Sequence, residues 1–437
     1  MNRNPEESSR NIHFCLAALC LATSILAPNR SQAAAFAPGN LVVERMGDGS
    51  AALTSAGTAA FVQEFTTSGA SVQTINLPST YPRPSASPFN LVDSGSATSD
   101  GNLSRSADGH FLCIPGLNGT NGEASIATSA ATTVLRIMGV VDSSGTVDTS
   151  RAASMLSGNN FRGLTSSDGT NFWAAGANGL VYFQSGVATN ALTNSNVRCV
   201  RVINNQLFVS SGASSFGLGV SSIGTGLPTN GPVTTSLLLP VGGTGPSPYG
   251  FDFSPDMTVA YVADDRTAAN GGGVLKYTNS GTAWSLAYTL PAGGTVGARG
   301  LTVDWSGASP VLYASTSEGA ANRLISITDT GSTSSPTTLA TAVANTAFRG
   351  VAFAPVSGGS SPVTTPVITG IHVSGGNVMI DFTGGSTDTT NNFSVVGTPS
   401  LPGSFAPVTA TITTSGPGLF QAVIVPLNPA AYYKIKR

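Results

Sequence analysis

The stretch RGLTVDWSGASPVLYASTSE at residues 299–318 decides the fold class. It opens with small and β-branched residues, turns through Ser, Gly and Pro, and continues as a second alternating run. Alternating apolar residues bounded by such turn residues are typical of antiparallel strands. Outside the first 35 residues, no long segment repeats apolar residues at helical spacing without Gly or β-branched interruptions. The chain is therefore predicted to be all-β.

The same plan recurs along the chain. Related units are RGLTSSDGTNFWAAGANGLVYFQSG (162–186) and YGFDFSPDMTVAYVADD (249–265), with looser copies near Leu103 and Cys199. The interval from Arg299 to Arg349 is 50 residues. A period in this range, with about four short strands per unit, predicts a β-propeller.

The unequal count of strands at the two ends of the repeat region predicts how a propeller would close. Residues 40–78 hold three strands without an opening strand, and RGVAFAP (349–355) is an opening strand without followers. Pairing them gives six blades. Seven blades require a hidden unit at 79–102, where YPRPSASP is typical of a loop because proline is excluded from central strands.

The first residues have the pattern of a secretion signal. Arg3 and Arg10 precede an apolar run from Phe14 to Ala27, followed by alanines at 33–35. This pattern predicts a signal peptide at 1–35, and no integral membrane segment after its cleavage. The predicted domains are a propeller at 36–355, a linker at 356–366 and a small β-sandwich at 367–437.

Composition narrows the classes of partner. Only 9% of residues are charged, the net charge is −2, and no polybasic run occurs, so nucleic acid is not an expected partner. A hydrophobic content of 41% indicates a packed core rather than disorder. Cys113 and Cys199 lie in apolar runs typical of buried thiols, although export would permit a disulfide between them.

Several ordered motifs carry a family resemblance from about Asn40 to Pro355. They include GSATSDGNLSRSADGHFLCIPG, GTNFWAAGANGLVYF and NTAFRGVAFAP. In these motifs the chain resembles a group of uncharacterised secreted bacterial proteins predicted to be propellers. The closing AYYKIKR resembles the ends of small C-terminal β-sandwich modules of secreted bacterial proteins. The resemblance implies fold and export, and no activity.

Residues suited to catalysis are sparse. Beyond the leader the histidines are His110 and His372, and no G-x-S-x-G motif occurs, so we predict no catalytic set and no zinc site. No cofactor is predicted, except that calcium would need only oxygen ligands, for which Asp252 and Asp304 are the candidates. The alternative is that both carboxylates bind backbone amides at turns.

Recurring arginines form the more suggestive pattern. Arg162, Arg299 and Arg349 each precede a glycine of an opening strand, and Arg105 and Arg198 lie near that place in the looser units. Equivalent positions of a propeller fall on one circle, so these guanidiniums are predicted to ring one channel mouth and bind carboxylate, sulfate or phosphate. The alternative is that each arginine ties one blade to its neighbour.

Together these features predict an exported, monomeric, non-catalytic protein that binds a polysaccharide or another anionic surface component. The sandwich would be an attachment module, and the destination would be the periplasm, the cell surface or the medium. Two alternatives remain open: a calcium-dependent hydrolase of the lactonase type, and a purely structural envelope protein. Fold alone does not separate them, because propellers host all three roles.

Overall fold

A computed structural model describes residues 33–83, 87–184, 188–214, 216–357, 366–384, 389–416, 418–426 and 431–436. Most of the predicted signal peptide and of the predicted linker lie outside these ranges. The described chain is all-β, as predicted, with three short 3₁₀ helices at Ile126–Thr128, Ala268–Asn270 and Thr390–Asn392. No helix within the described ranges is long and apolar enough to cross a membrane.

Twenty-six strands occur in the described residues before the predicted linker. They are β1 Leu41–Met46, β2 Gly57–Phe65, β3 Ser71–Asn76, β4 Val92–Ser94, β5 Ser104–Arg105, β6 Phe111–Leu117, β7 Arg136–Asp142, β8 Val147–Asp148, β9 Ala152–Ala153, β10 Phe161–Ser166, β11 Asn171–Gly176, β12 Gly179–Gln184, β13 Ala188–Thr193, β14 Val197–Ile203, β15 Gln206–Ser211, β16 Gly219–Ile223, β17 Thr235–Pro240, β18 Pro248–Phe253, β19 Val259–Asp264, β20 Gly273–Asn279, β21 Trp284–Leu290, β22 Ala298–Asp304, β23 Val311–Thr316, β24 Arg323–Thr328, β25 Thr337–Thr341 and β26 Ala347–Phe353.

These strands form propeller-like sheets. Strands β10–β13, β14–β17, β18–β21 and β22–β25 each make a four-stranded antiparallel sheet in which neighbours along the chain pair. Strands β1–β9 and β26 share a larger sheet, within which β4 links β2 to β6. Within residues 79–102, the described part holds only β4, which has three residues.

The predicted pairing between the two ends of the repeat region is present. Strand β26 pairs antiparallel with β1, from Leu41 opposite Phe353 to Met46 opposite Ala347. The register shifts between Val43 and Arg45, so Glu44 lies at a bulge. Antiparallel pairing of sequence-distant strands joins the start of the repeat region to its end.

Close backbone approach explains the Arg-Gly repeat. Strands β5, β10, β14, β18, β22 and β26 contact one another in that order, and β26 contacts β5; we call them the inner strands. A Cβ at Gly300 would lie 2.6 Å from the carbonyl oxygen of Arg349 on β26. A Cβ at Gly350 would lie 2.4 Å from the amide nitrogen of Leu103, at the start of the next unit. The glycines are therefore required for contact between neighbouring sheets.

Two of the hydrophobic cores lie between consecutive sheets. One buried cluster joins Phe161 and Phe172 to Met138 of the preceding sheet. Another joins Trp173 to Leu207 and Val209 of the following sheet, and the Trp173 indole nitrogen donates to the Pro228 carbonyl at 2.8 Å. Because each of these two cores is built from two sheets, the unit that begins near Arg162 does not bury its apolar faces alone.

Aromatic and cysteine side chains also pack among the sheets. Trp284 packs on Phe253 and Trp305 on Tyr261, with ring centroids 5.4 and 5.5 Å apart. Cys113 and Cys199 are buried and unpaired, as their apolar surroundings predict. Burial raises the pKa of the Cys199 thiol to about 12, so it stays protonated at neutral pH.

The turns after β5 and β18 share one hydrogen-bond pattern. Ser106 donates to the Asp108 carboxylate at 2.5 Å, and Ser254 donates to that of Asp256 at 2.6 Å. The next residue has positive φ in both turns, 82° for Gly109 and 57° for Met257. Met257 therefore replaces glycine at a left-handed position, where a side chain is strained.

The C-terminal region makes two further sheets from seven described strands, where five or so were predicted. The strands are β27 Val367–Ser374, β28 Asn377–Thr383, β29 Ser394–Thr398, β30 Ala406–Val408, β31 Ala410–Gly416, β32 Leu419–Ile424 and β33 Tyr432–Lys436. One sheet has the order β27-β28-β32-β31, the other β30-β29-β33. Phe382, Phe393 and Phe420 form the centre of the core shared by the two sheets.

Candidate functional site

Side chains at one end of the inner strands form the candidate site, here called the arginine end. Strand registers place five side chains at equivalent positions, each directly before the residue of closest strand approach. These residues are Arg162, Arg198, Tyr249, Arg299 and Arg349. Four of the five predicted arginines therefore belong to this end, and Arg105 does not.

Arg162 and Arg198 are oriented by the loops that lead into the next inner strands. Arg162 donates from Nη1 to the side-chain oxygen of Asn196, and Arg198 donates from Nη1 to the Ser247 hydroxyl at 2.5 Å. Within the described ranges neither guanidinium has a carboxylate ion-pair partner, and the Nε of each is buried without a hydrogen-bond partner. Two positive charges are thus held in place without an ion-pair partner among the described residues.

Tyr249 lies among these arginines. The Arg198 guanidinium carbon is 4.4 Å from the centre of the Tyr249 ring, and only 5% of the tyrosine is exposed. Burial raises the pKa of Tyr249, while the charges of Arg198, Arg162 and Arg299 lower it and Asp265 raises it. The tyrosine therefore stays neutral at physiological pH, in the field of three guanidiniums.

Arg299 is the paired arginine of this group. Its Nε donates to the Asp265 carboxylate at 3.1 Å, and both side chains are largely buried. Asp265 follows β19 of the preceding sheet, so this pair ties neighbouring sheets together as the alternative interpretation predicted.

Arg349 has different surroundings although its motif is the same. It is 3% exposed and donates from Nη2 to the Gly95 carbonyl at 2.7 Å. Burial lowers the pKa of Arg349, Arg299 lowers it further, and Asp93, Asp100 and Glu44 raise it. Arg349 therefore belongs to a buried cluster of carboxylates rather than to the accessible part of the arginine end.

Arg105 lies at the opposite end of the inner strands. It donates to the Ala354 carbonyl at 3.4 Å, and its charged neighbours are Arg201 and Asp252. Arg201 pairs with Asp252 at 3.1 Å and also donates to the Phe251 carbonyl at 2.8 Å. We call this the aspartate end; there the Arg201–Asp252 pair joins neighbouring sheets, and Arg105 makes no ion pair among the described residues.

The two calcium candidates do not converge. Asp252 lies opposite Tyr261 in its sheet, whereas Asp304 lies opposite Val311, two positions further along its strand. Asp252 accepts from Arg201 and from the Val303 amide at 3.2 Å, and Asp304 accepts from the Ser306 amide at 2.9 Å. No group of three or more His, Cys, Asp or Glu able to hold a metal occurs in the part of the chain that the structure describes.

The space between the inner strands is narrow. Gly250, Gly300, Gly350, Asn102 and Cys199 are among the residues that line a cavity of about 20 Å³. That volume is enough for about one water molecule. A ligand larger than a water molecule therefore does not fit into this space.

The two described histidines lie in different parts of the chain. His110 Nδ1 is 3.2 Å from the Val356 carbonyl oxygen, and the half-exposed His372 is 3.5 Å from Asp381 in the C-terminal sheets. Neither is hydrogen-bonded to a serine or cysteine that would serve as a nucleophile in the described residues.

Sequence reasoning missed two parts of this region. Tyr249 was visible as the residue that replaces arginine before glycine in YGFDF, where the other units have RGLTV or RGVAF. Glu44 appears in the sequence only as a charge within the apolar run NLVVERM, and strand pairing brings it near Asp93 and Asp100. Aligning the repeats could have identified Tyr249, whereas no local pattern could have identified the proximity of Glu44 to the two aspartates.

Comparisons with known proteins give distant structural similarities. No protein-family model matches the chain, and no curated protein does so either. The periplasmic gluconolactonase PpgL of Pseudomonas aeruginosa is 14% identical, with 88% of this chain and 100% of that chain covered and a TM-score of 0.40. A hypothetical selenium-binding protein of Sulfolobus tokodaii is 8% identical, with 74% and 96% covered and a TM-score of 0.40.

A third similar structure is apo AztD of Citrobacter koseri, which is 12% identical. Each chain is covered to 79%, and the TM-score is 0.29. Because the TM-scores are below 0.5, the activity and ligand of this chain are not inferred from these proteins.

Proposed function

We propose that the protein is an exported, non-catalytic binding protein that holds an anionic ligand at the arginine end. The ligand class is a carboxylate-, sulfate- or phosphate-bearing polymer or surface component. The observation that carries the proposal is the presence of two oriented guanidiniums, Arg162 and Arg198, that lack carboxylate partners in the described residues.

Charge and hydrogen bonding support this ligand class. Guanidinium groups stay charged in proteins and match the planar oxygens of carboxylate and phosphate. The Asn196 and Ser247 side chains already fix one nitrogen of each group, so less side-chain freedom is lost on binding. Tyr249 adds a neutral aromatic side chain beside these arginines, with the Arg198 guanidinium against its ring, and brings no negative charge to the site.

A six-bladed propeller is part of the proposal. Cyclic contact among β5, β10, β14, β18, β22 and β26 supports six units, and the β1–β26 pairing supports closure through the sheet that contains both ends of the repeat. The narrow space between these strands favours a ligand that lies across the end and not one that threads between them.

Export is proposed on the leader pattern of residues 1–35, with the periplasm, the cell surface or the medium as destination. The C-terminal sheets would then be an attachment module. Their exposed apolar residues, among them Ile371, Val373 and Tyr432, support a contact role because large exposed apolar side chains mark interaction surfaces when they cluster.

A thermal-shift experiment tests the anion site. We expect polygalacturonate, but not neutral dextran, to raise the melting temperature at matched ionic strength. Ligand at about a hundred times its Kd adds roughly 2.7 kcal/mol to the free energy of unfolding. The double variant Arg162→Gln/Arg198→Gln should lose the shift, whereas Arg151→Gln, which removes a paired arginine elsewhere, should keep it.

Other outcomes favour the other functions. Equal shifts with both polymers, or a shift kept by the double variant, would refute the arginine end as the binding site. A shift with calcium that chelator reverses would support the lactonase-type alternative at Asp252 and Asp304. No shift with any of these probes would favour the purely structural role.

A further inference from the structure

Three buried carboxylates meet where the first and last strands of the repeat region pair. Glu44 on β1 is fully buried, and Asp93 on β4 and Asp100 before β5 are each 2% exposed. Both carboxylate oxygens of Glu44 and one of Asp93 are buried without a hydrogen-bond partner. We call these residues the acid cluster.

Arginines lie near the acid cluster, but none forms an ion pair with Glu44, Asp93 or Asp100 among the described residues. Arg349 of β26 is buried beside it, but its Nη2 donates to the Gly95 carbonyl and it makes no ion pair among the described residues. Arg162, Arg136 and Arg299 approach from β10, β7 and β22. The charge of Arg162 lowers the pKa of Asp100. The charges of Asp93 and Asp100 raise the pKa of Arg136, and the charge of Arg299 lowers the pKa of Arg349.

Asp100 is the best satisfied of the three acids. The Asn160 amide donates to one of its oxygens at 2.9 Å and the Ser99 hydroxyl to the other at 2.8 Å. Among the described residues, Asp93 accepts only from the neighbouring Ser94 amide, at 2.6 Å. Glu44 accepts from no donor in the same residues, so an ionised Glu44 would be the most costly charge in the cluster.

Two kinds of cation can neutralise such a cluster, a metal ion or a proton. A metal needs several oxygens directed at one point, and no such group occurs in the described residues. A proton needs only one carboxylate oxygen. The geometry therefore favours protons.

We infer that the acid cluster is a proton-binding site that stabilises the junction of the first and last strands, with Glu44 protonated in the folded protein at neutral pH. Glu44 lies at the bulge where β1 meets β26, and a Cβ on Gly101 would be 2.9 Å from its Oε2. The carboxyl group is thus enclosed by the strands it helps to join and is shielded from bulk water.

The direction of the pH effect follows from burial. Burial raises the pKa of Glu44 from 4.5 to about 8, Arg349 lowers it, and Asp100 raises it. Burial likewise raises the pKa of Asp100 to about 6 and that of Asp93 well above its ordinary value. Between pH 4.5 and 8 the folded chain therefore holds a proton that the unfolded chain has released, and stability falls as pH rises through this window.

Thermal melts of the full chain from pH 5 to pH 9 test the site. We expect the wild-type midpoint to fall by about 5 °C or more between pH 5 and 8.5. Glu44→Gln, which mimics the protonated acid, should remove at least half of this fall and melt at or above the wild type at pH 8.5. Infrared difference spectroscopy at pH 7 should show a protonated carboxyl band that this variant lacks.

Glu64→Gln is the matched control. Glu64 is equally buried on the adjacent β2, but its carboxylate accepts from the Ala37 amide and from the Asn40 and Gln73 side chains. This variant should melt below the wild type and keep its pH dependence. The proposal is overturned if Glu44→Gln melts below the wild type at every pH. It is also overturned if calcium raises and chelator lowers the wild-type midpoint at pH 8 but not that of Glu44→Gln.

Discussion

Arg299 and Arg349 occupy the same position of the same motif, yet their surroundings differ. Arg299 pairs with Asp265 at 3.1 Å and is partly reached by solvent. Arg349 is buried beside Glu44, Asp93 and Asp100, and it donates to a backbone carbonyl instead of forming an ion pair in the described residues. The arginine of one motif, Arg299, thus pairs with an aspartate of the neighbouring sheet. The arginine of the other, Arg349, is the buried positive charge beside the acid cluster.

The difference arises from what faces each arginine. Arg299 faces the end of β19 in an ordinary four-stranded sheet, whereas Arg349 faces strands from the beginning of the chain. Strand β26 completes a sheet with β1, and β4 and the loop before β5 bring further carboxylates to the same junction. Repetition of a motif therefore does not imply repetition of a role.

Replacing each arginine by leucine should give the largest difference in the free energy of unfolding. Arg349→Leu should lower the free energy of unfolding by about 3 to 5 kcal/mol, because it takes the nearest buried cation away from three buried acids. Arg299→Leu should cost about 1.5 to 3 kcal/mol, the value of a hydrogen bond to a charged group. Urea unfolding at pH 8 measures both. Equal costs would show that the two arginines have the same role.

Replacing an inner-strand glycine by alanine should give the next largest change in the free energy of unfolding. Gly350→Ala would place Cβ 2.4 Å from the Leu103 amide nitrogen, so the backbone must shift, at a cost of about 2 to 3 kcal/mol. Gly319→Ala is the control, since nothing lies within 4 Å of its Cβ. Urea unfolding of the two variants compares them. A tolerated Gly350→Ala would mean that close strand approach does not explain the Arg-Gly repeat.

The smallest expected effect is a gain at the turn after β18. Met257 has φ of 57°, so Met257→Gly should stabilise the protein by about 0.5 to 1 kcal/mol through relief of backbone strain. Met257→Ala keeps the β-carbon and should show no such gain. Differential scanning calorimetry of the three proteins decides, and a loss of stability in the glycine variant would contradict the strain argument.

Much of the fold could be predicted from local pattern. Alternating runs, turn residues and a period of about 50 residues predicted the all-β class, the units near 162, 199, 249 and 299, and the pairing of the last strand with the first. These predictions succeed because strand alternation and turn chemistry are local properties of the chain. The place of the arginines directly before or near the opening strand of their units similarly predicted four side chains at one end. Arg105, in a looser unit, lies four residues beyond the equivalent position.

By itself the sequence determined the β-structure, the repeat and the residue types available for binding, because these follow from composition and periodicity. Tertiary structure alone decided which charges meet. Glu44, Asp93, Asp100 and Arg349 are separated by up to about 300 positions, and only the pairing of β1 with β26 and of β2 with β4 brings them together. Electrostatic energies depend on distance and solvation, which strand pairing sets and local sequence does not.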